Sequence, residues 1–136
     1  MSTQDPIVIV AAKRTPMGGF MGGLSAVSAT TLGATAIRGA MDAAKLSNDQ
    51  VDEVIMGCVL PAGLKQAPAR QAALEADLDL STACTTINKV CGSGMKAAMQ
   101  AHDALLAGSI DIAIAGGMES MTNAPHLLPK GRSGIK

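Results

Sequence analysis

The chain holds one aromatic side chain, Phe20, in 136 residues, with neither Trp nor Tyr. A core without rings must be filled by Ala, Val, Ile, Leu and Met, whose modest volumes favour helices packed closely on a sheet. With 48% of residues apolar and 16% charged, such a core is well supplied and the chain is globular rather than disordered. The same lack of rings removes the stacking platforms that single-stranded nucleic acid needs. Lys plus Arg and Asp plus Glu balance at 11 each. That neutrality gives no electrostatic case for nucleic acid or an anionic membrane surface.

Apolar periodicity alternates along the chain. Ile7–Ala12 is a β-branched run of the kind that fills a strand buried on both faces. A loop with Pro16 and glycines at 18, 19, 22 and 23 follows. A helix is predicted from about Ser28–Thr31 to Ala44, with Leu32, Ala36, Ile37, Ala40, Met41 and Ala44 on one stripe. Val51–Val59 reads as a second strand and Pro68–Asp77 as a short helix with proline in its first turn. Thr82–Val90 reads as a third strand. Gly92–Ala107 is a third helix, with Met95, Ala98, Met99, Ala101, His102, Leu105 and Leu106 crowding one side and Gly108 ending it. Ile110–Ala115 is a fourth strand closed by Gly116-Gly117. This βαβαβαβ order predicts an α/β fold with a mostly parallel sheet and helices on both faces. From Thr122 onward periodicity is lost, so 1–121 reads as a folded unit and 122–136 as the start of an irregular region.

The apolar runs are short and interrupted, as by Asp111, and predict no membrane span. Met1–Pro6 has no basic or apolar segment of secretory type, and Asp5 with few arginines speaks against a mitochondrial leader. Cys58, Cys84 and Cys91 form no C-x-x-C spacing. Reduced thiols in the cytoplasm are the simplest expectation, with no metal site.

The sequence Asn88-Lys89-Val90-Cys91-Gly92-Ser93-Gly94 falls where the third strand becomes the third helix. An elbow of this kind lifts the side chain at its apex out of the sheet. Gly92 and Gly94 permit a sharp turn and close helix approach. The free N–H groups of the helix start stabilise an anion, whether a thiolate or the oxyanion of an acyl-transfer intermediate. A lone cysteine in apolar surroundings is otherwise a buried small hydrophobe. The elbow makes Cys91 the candidate catalytic nucleophile, with acyl transfer through a thioester as its chemistry.

Thr86–Ala97, spelled Thr-Ile-Asn-Lys-Val-Cys-Gly-Ser-Gly-Met-Lys-Ala, resembles the nucleophile signature of the thiolase family, the acetyl-CoA acetyltransferases. Ala12-Lys13-Arg14-Thr15-Pro16 resembles that family's opening strand and loop. Pro68-Ala69-Arg70-Gln71 resembles its second-helix motif, and Gly116-Gly117-Met118-Glu119-Ser120-Met121 the close of its first βα half. The resemblance implies the first part of a thiolase N-terminal domain within an αβαβα fold, and no cofactor beyond coenzyme A thioesters as substrates. It implies an acyl group carried on Cys91, condensation of two acetyl-CoA molecules or thiolytic cleavage of 3-ketoacyl-CoA in fatty acid metabolism, and a homodimer or homotetramer pairing near Thr82–Val90. A β-ketoacyl synthase-like condensing enzyme and a non-catalytic dimerising remnant are the competing readings.

The family's histidine base, second cysteine and asparagine have no match here, so the chain alone is expected to be inactive. His102 is expected to be packed or capped on its helix and His126 to be a loop residue. Cys58 and Cys84 read as core. Arg70 and Glu119 read as supporting ion-pair or interface residues. Lys13 and Arg14 are either solvated loop charges or contacts to a coenzyme A phosphate. The glycine loop after Lys13 lacks the spacing of a phosphate loop. Lys65-Gln66-Ala67 stands where the family often has Gly-Gln-Asn.

Overall fold

Glu53–Gly57 (β1), Ala83–Ile87 (β2) and Ala113–Gly117 (β3) pair in parallel, in the order β2-β1-β3, in a computed structural model that describes residues 6–134. The helices Ala29–Ala44 (α1), Pro68–Glu75 (α2) and Ser93–Leu106 (α3) alternate with them. Successive strand residues face opposite sides. Val54, Met56 and Cys58 therefore enter the core beneath α1 and α2, while Ile55 packs with Ala97 and Ala101 of α3. Helices thus cover both faces, as expected for buried parallel strands. The Met1–Asp5 segment used to judge a leader lies outside the described residues, as do Ile135 and Lys136.

Helix α1 starts where its sequence says it should. Ser28 Oγ accepts from the Thr31 N–H at 3.0 Å, and Lys45 closes the helix in the left-handed region at φ 56°. The buried face is turned from the anticipated stripe: Ala29, Gly33, Ala34, Ile37 and Met41 are buried. Leu32, Ala36, Ala40 and Ala44 instead border an apolar groove of about 680 Å³.

That groove accounts for the largest departure from expectation. Ile7–Ala12 is not a strand; it runs without regular pairing, and Ile9 is 90% exposed. Its residues line the groove together with β3, yet form no ladder with it. β-branched composition makes a strand only where its backbone pairs with a neighbour, and this segment makes no such pairing, although the outer edge of β3 is unpaired among the described residues.

Two further boundaries move. β3 begins at Ala113 and takes in Gly116 and Gly117, which pair with Met56 and Gly57 instead of closing the strand. On α3 the small residues Ala97 and Ala101 are buried, whereas Met95, Met99 and Leu106 are exposed. Close approach to the sheet selects small side chains, leaving the larger apolar ones outside. His102 likewise lies exposed beside Asp103 rather than packed, its Nδ1 3.5 Å from the carboxylate.

Candidate active site

β2 ends at Ile87 and α3 begins at Ser93, so Asn88–Gly92 must reverse the chain within one turn. Val90 does this in the left-handed region at φ 50°. A β-branched residue there costs on the order of 1–3 kcal/mol. The turn is held by a dense set of bonds. Asn88 Oδ1 accepts from the Val90 N–H at 2.9 Å, and Ser93 Oγ accepts from the Lys89 N–H at 2.7 Å while donating to the Val90 carbonyl at 2.6 Å. The Gly92 N–H donates to the Lys89 carbonyl at 3.1 Å. At about 0.5–1.5 kcal/mol each, these four bonds offset the strain.

Cys91 follows Val90 directly and is exposed. It stands ahead of the first turn of α3, whose N-cap, Gly92, has no capping side chain. The second and third helical N–H groups, those of Gly94 and Met95, have no intrahelical partner by position. The helix start therefore combines partial positive charge with an accessible sulfur, the surroundings in which a thiol serves as an acyl acceptor.

The other cysteines are differently placed. Cys58 is buried, and burial, reinforced by the neighbouring Glu119 carboxylate, pushes its thiol up to about 11. Cys84 is half-buried beside Arg70, and burial raises its thiol as well. Neither has the access of Cys91. His126 is exposed in the loop beyond β3, as expected.

Arg70 and Glu119 act differently from the ion pairs anticipated. Among the described residues neither makes a salt bridge. Arg70 donates to the carbonyls of Thr82 at 2.7 Å and Leu80 at 2.8 Å, clamping the entry to β2. Glu119 accepts from the N–H groups of Val59 at 2.8 Å and Leu60 at 3.0 Å, fixing the segment after β1. Thr86 Oγ1 accepts from the Ala69 N–H at 2.9 Å and so caps α2 from the neighbouring strand. Sequence reading missed Thr86, Ser93 and the paired duty of Asn88. Only Asn88 carried a local signal, since its side chain bonds a backbone group two residues on.

Among the described residues no cluster of His, Cys, Asp and Glu could hold a metal ion, and no helix is long and apolar enough to cross a membrane.

Residues 7–136 match the family model described as "Thiolase, N-terminal domain". Over 129 residues the chain is 53% identical to "Acetyl-CoA acetyltransferase, mitochondrial" of Homo sapiens, covering 95% of this chain and 30% of that protein. It is 50% identical over 130 residues to "Acetyl-CoA acetyltransferase" of Schizosaccharomyces pombe, covering 96% of this chain and 33% of that one. Its fold matches the crystal structure of Acat5 thiolase from Ascaris suum in complex with coenzyme A, with a TM-score of 0.88 and 41% identity over 90% of this chain and 32% of the other. The chain thus spans about three tenths of the length of the relatives it matches. The cytoplasmic expectation is overturned here, because the human, bovine and mouse relatives are named as mitochondrial. Reduced thiols do not separate the two compartments, and Asp5 with few arginines is weak ground against a mitochondrial leader, which is why residue chemistry misled.

Proposed function

Since the chain belongs to the thiolase family as a portion of its N-terminal domain, we propose that it supplies the acyl-carrying half of an acetyl-CoA C-acetyltransferase, with Cys91 as the nucleophile. The observation that supports this most is an exposed cysteine on a bonded elbow before a helix whose N-cap residue contributes no capping side chain. The Cys91 thiolate attacks the carbonyl carbon of an acetyl-CoA, the bond to the coenzyme A sulfur breaks, and coenzyme A leaves as a thiolate that takes up a proton. A second acetyl-CoA, deprotonated at its methyl carbon, then attacks the Cys91 thioester, giving acetoacetyl-CoA and the free thiolate. Run in reverse, coenzyme A cleaves a 3-ketoacyl-CoA, the direction that belongs to fatty acid metabolism. No cofactor is required beyond these thioesters.

The deprotonating base and the second oxyanion site are not among these residues, so the reaction needs the remainder of a thiolase. The free edge of β2 and the exposed Ala83 and Thr85 support pairing into a homodimer, or a homotetramer built from it. The mitochondrial names of the relatives favour that compartment for this chain too.

Incubation with labelled acetyl-CoA tests the proposal in the whole protein that carries this sequence. The label is expected on the Cys91 peptide and is expected to vanish in Cys91→Ser. Labelling that persists in Cys91→Ser, or acetoacetyl-CoA cleavage by the 136-residue chain alone, would overturn the assignment of roles.

A further inference from the structure

We infer that Glu119 and Asn88 are positioning residues for Cys91, joined in a hydrogen-bond relay from the end of β3 to the turn that carries the thiol. The inference rests on Cys91 being the nucleophile and concerns how its aim is fixed. An exposed side chain is not held by packing, so its direction must come from the backbone beneath it. The backbone before Cys91 is Val90, in a conformation β-branched residues avoid.

The relay runs through three strand ends. The two carboxylate oxygens of Glu119 accept separately, from the Val59 N–H at 2.8 Å and the Leu60 N–H at 3.0 Å. The Val59 carbonyl then accepts from Asn88 Nδ2 at 3.2 Å. Asn88 Oδ1 accepts from the Val90 N–H at 2.9 Å. Residue chemistry suits each place. The Val59 and Leu60 N–H groups each meet a different oxygen of Glu119, an arrangement that a carboxylate offers and an amide, with one oxygen and one NH2, does not. The middle position must donate on one side and accept on the other, which asparagine does and aspartate does not.

The test is alkylation of Cys91 by iodoacetamide, read on its own peptide by mass spectrometry, in the whole protein that carries this sequence. Asn88→Ala is expected to slow the reaction about tenfold near neutral pH, while Cys58 and Cys84 of the same folded protein keep the parent's labelling rates. Glu119→Gln should shift the profile the same way by a smaller factor. Asn88→Ser keeps an acceptor for the Val90 N–H but is too short to reach Val59, so it should fall between Asn88→Ala and the parent. It carries the test should Asn88→Ala not fold. Asp49→Asn, in the turn after α1, should leave the profile unchanged. An unaltered labelling profile of the three cysteines in the Asn88 variants overturns the inference, as does slowing at Cys91 that tracks loss of folded protein. A shift in the Asn88 variants with none in Glu119→Gln overturns the relay by confining control to the local turn. Alkylation needs no acyl-CoA, so a parent protein without acyl transfer would sink the proposed function and leave this readout standing.

Discussion

A Cβ added to Gly57 would lie 2.7 Å from the Ser93 Cβ and 2.8 Å from the Gly94 nitrogen. The last residue of β1 and the first turn of α3 thus meet at a distance only glycine allows. Ser93 is buried and bonds the elbow at two points. Gly57→Ala is expected to cost about 1–3 kcal/mol of stability and to loosen the Cys91 turn. A denaturation midpoint equal to the parent's would show that the contact can relax.

Lys65 and Ala67 lie in the left-handed region at φ 63° and 46°, and Ala67 is the N-cap of α2 without a side-chain bond. These are the positions where the family often carries glycine and asparagine, the two residues best suited to that backbone. Ala67→Asn should therefore raise stability by about 1 kcal/mol, and Lys65→Gly should add a gain of its own. Thermal unfolding of each variant measures it. A lower midpoint for Ala67→Asn would refute the reading.

The three cysteines should separate by reactivity. Cys91 is exposed, Cys84 half-buried and Cys58 buried, with its thiol pushed up to about 11 from an ordinary 9.0. Alkylation of the folded protein should follow that order, Cys91 first. A raised folded value also means that Cys58 stabilises the fold fully below the ordinary thiol range. That contribution is lost as pH climbs from about 9 through about 11. Cys58→Ala should flatten this alkaline part of the stability curve. Equal labelling rates for all three thiols in the folded protein would be incompatible with this arrangement.

Asp52 governs the acid side. The N–H groups of Ile112 at 2.9 Å and Asp111 at 2.8 Å donate to one of its carboxylate oxygens, and they hold its titration below the ordinary value. The lowered value makes the folded state favour the charged form. The resulting stabilisation is present above about pH 4 and disappears as pH falls through the lowered value. Asp52→Asn should remove that acid-side slope, as read by urea unfolding at a series of pH values. A slope that survives the substitution would assign it to other carboxylates.

What could be read beforehand follows from how local each cause is. The runs around Val54, Thr85 and Ile114 announced strands, and Ser28 announced the start of α1, because each signal sits within a few residues of its effect. Ile7–Ala12 bears the same signature as β1, and what separates them is the pairing that β1 makes on both sides and this segment does not make. The methionines of α3 looked like core because periodicity reports a face without reporting which partner covers it. Cys91 stood out through the glycines beside it. Glu119 did not reveal its role, since the N–H groups it binds belong to residues about sixty positions earlier. Its bonds exist only once β1 and β3 are adjacent.

The unpaired opening segment also sets a timetable for synthesis. Ile7–Ala12 leaves the ribosome before β1, β2 and β3, and no strand between it and Gly134 takes it into the sheet. At roughly 5–20 residues per second, those intervening residues take on the order of ten seconds to emerge. Throughout that interval an exposed, β-branched ribbon is free to pair with any other nascent chain. Newborn copies of this protein should therefore be clients for chaperones that shield extended apolar segments, and crowding on polysomes should be their most hazardous moment.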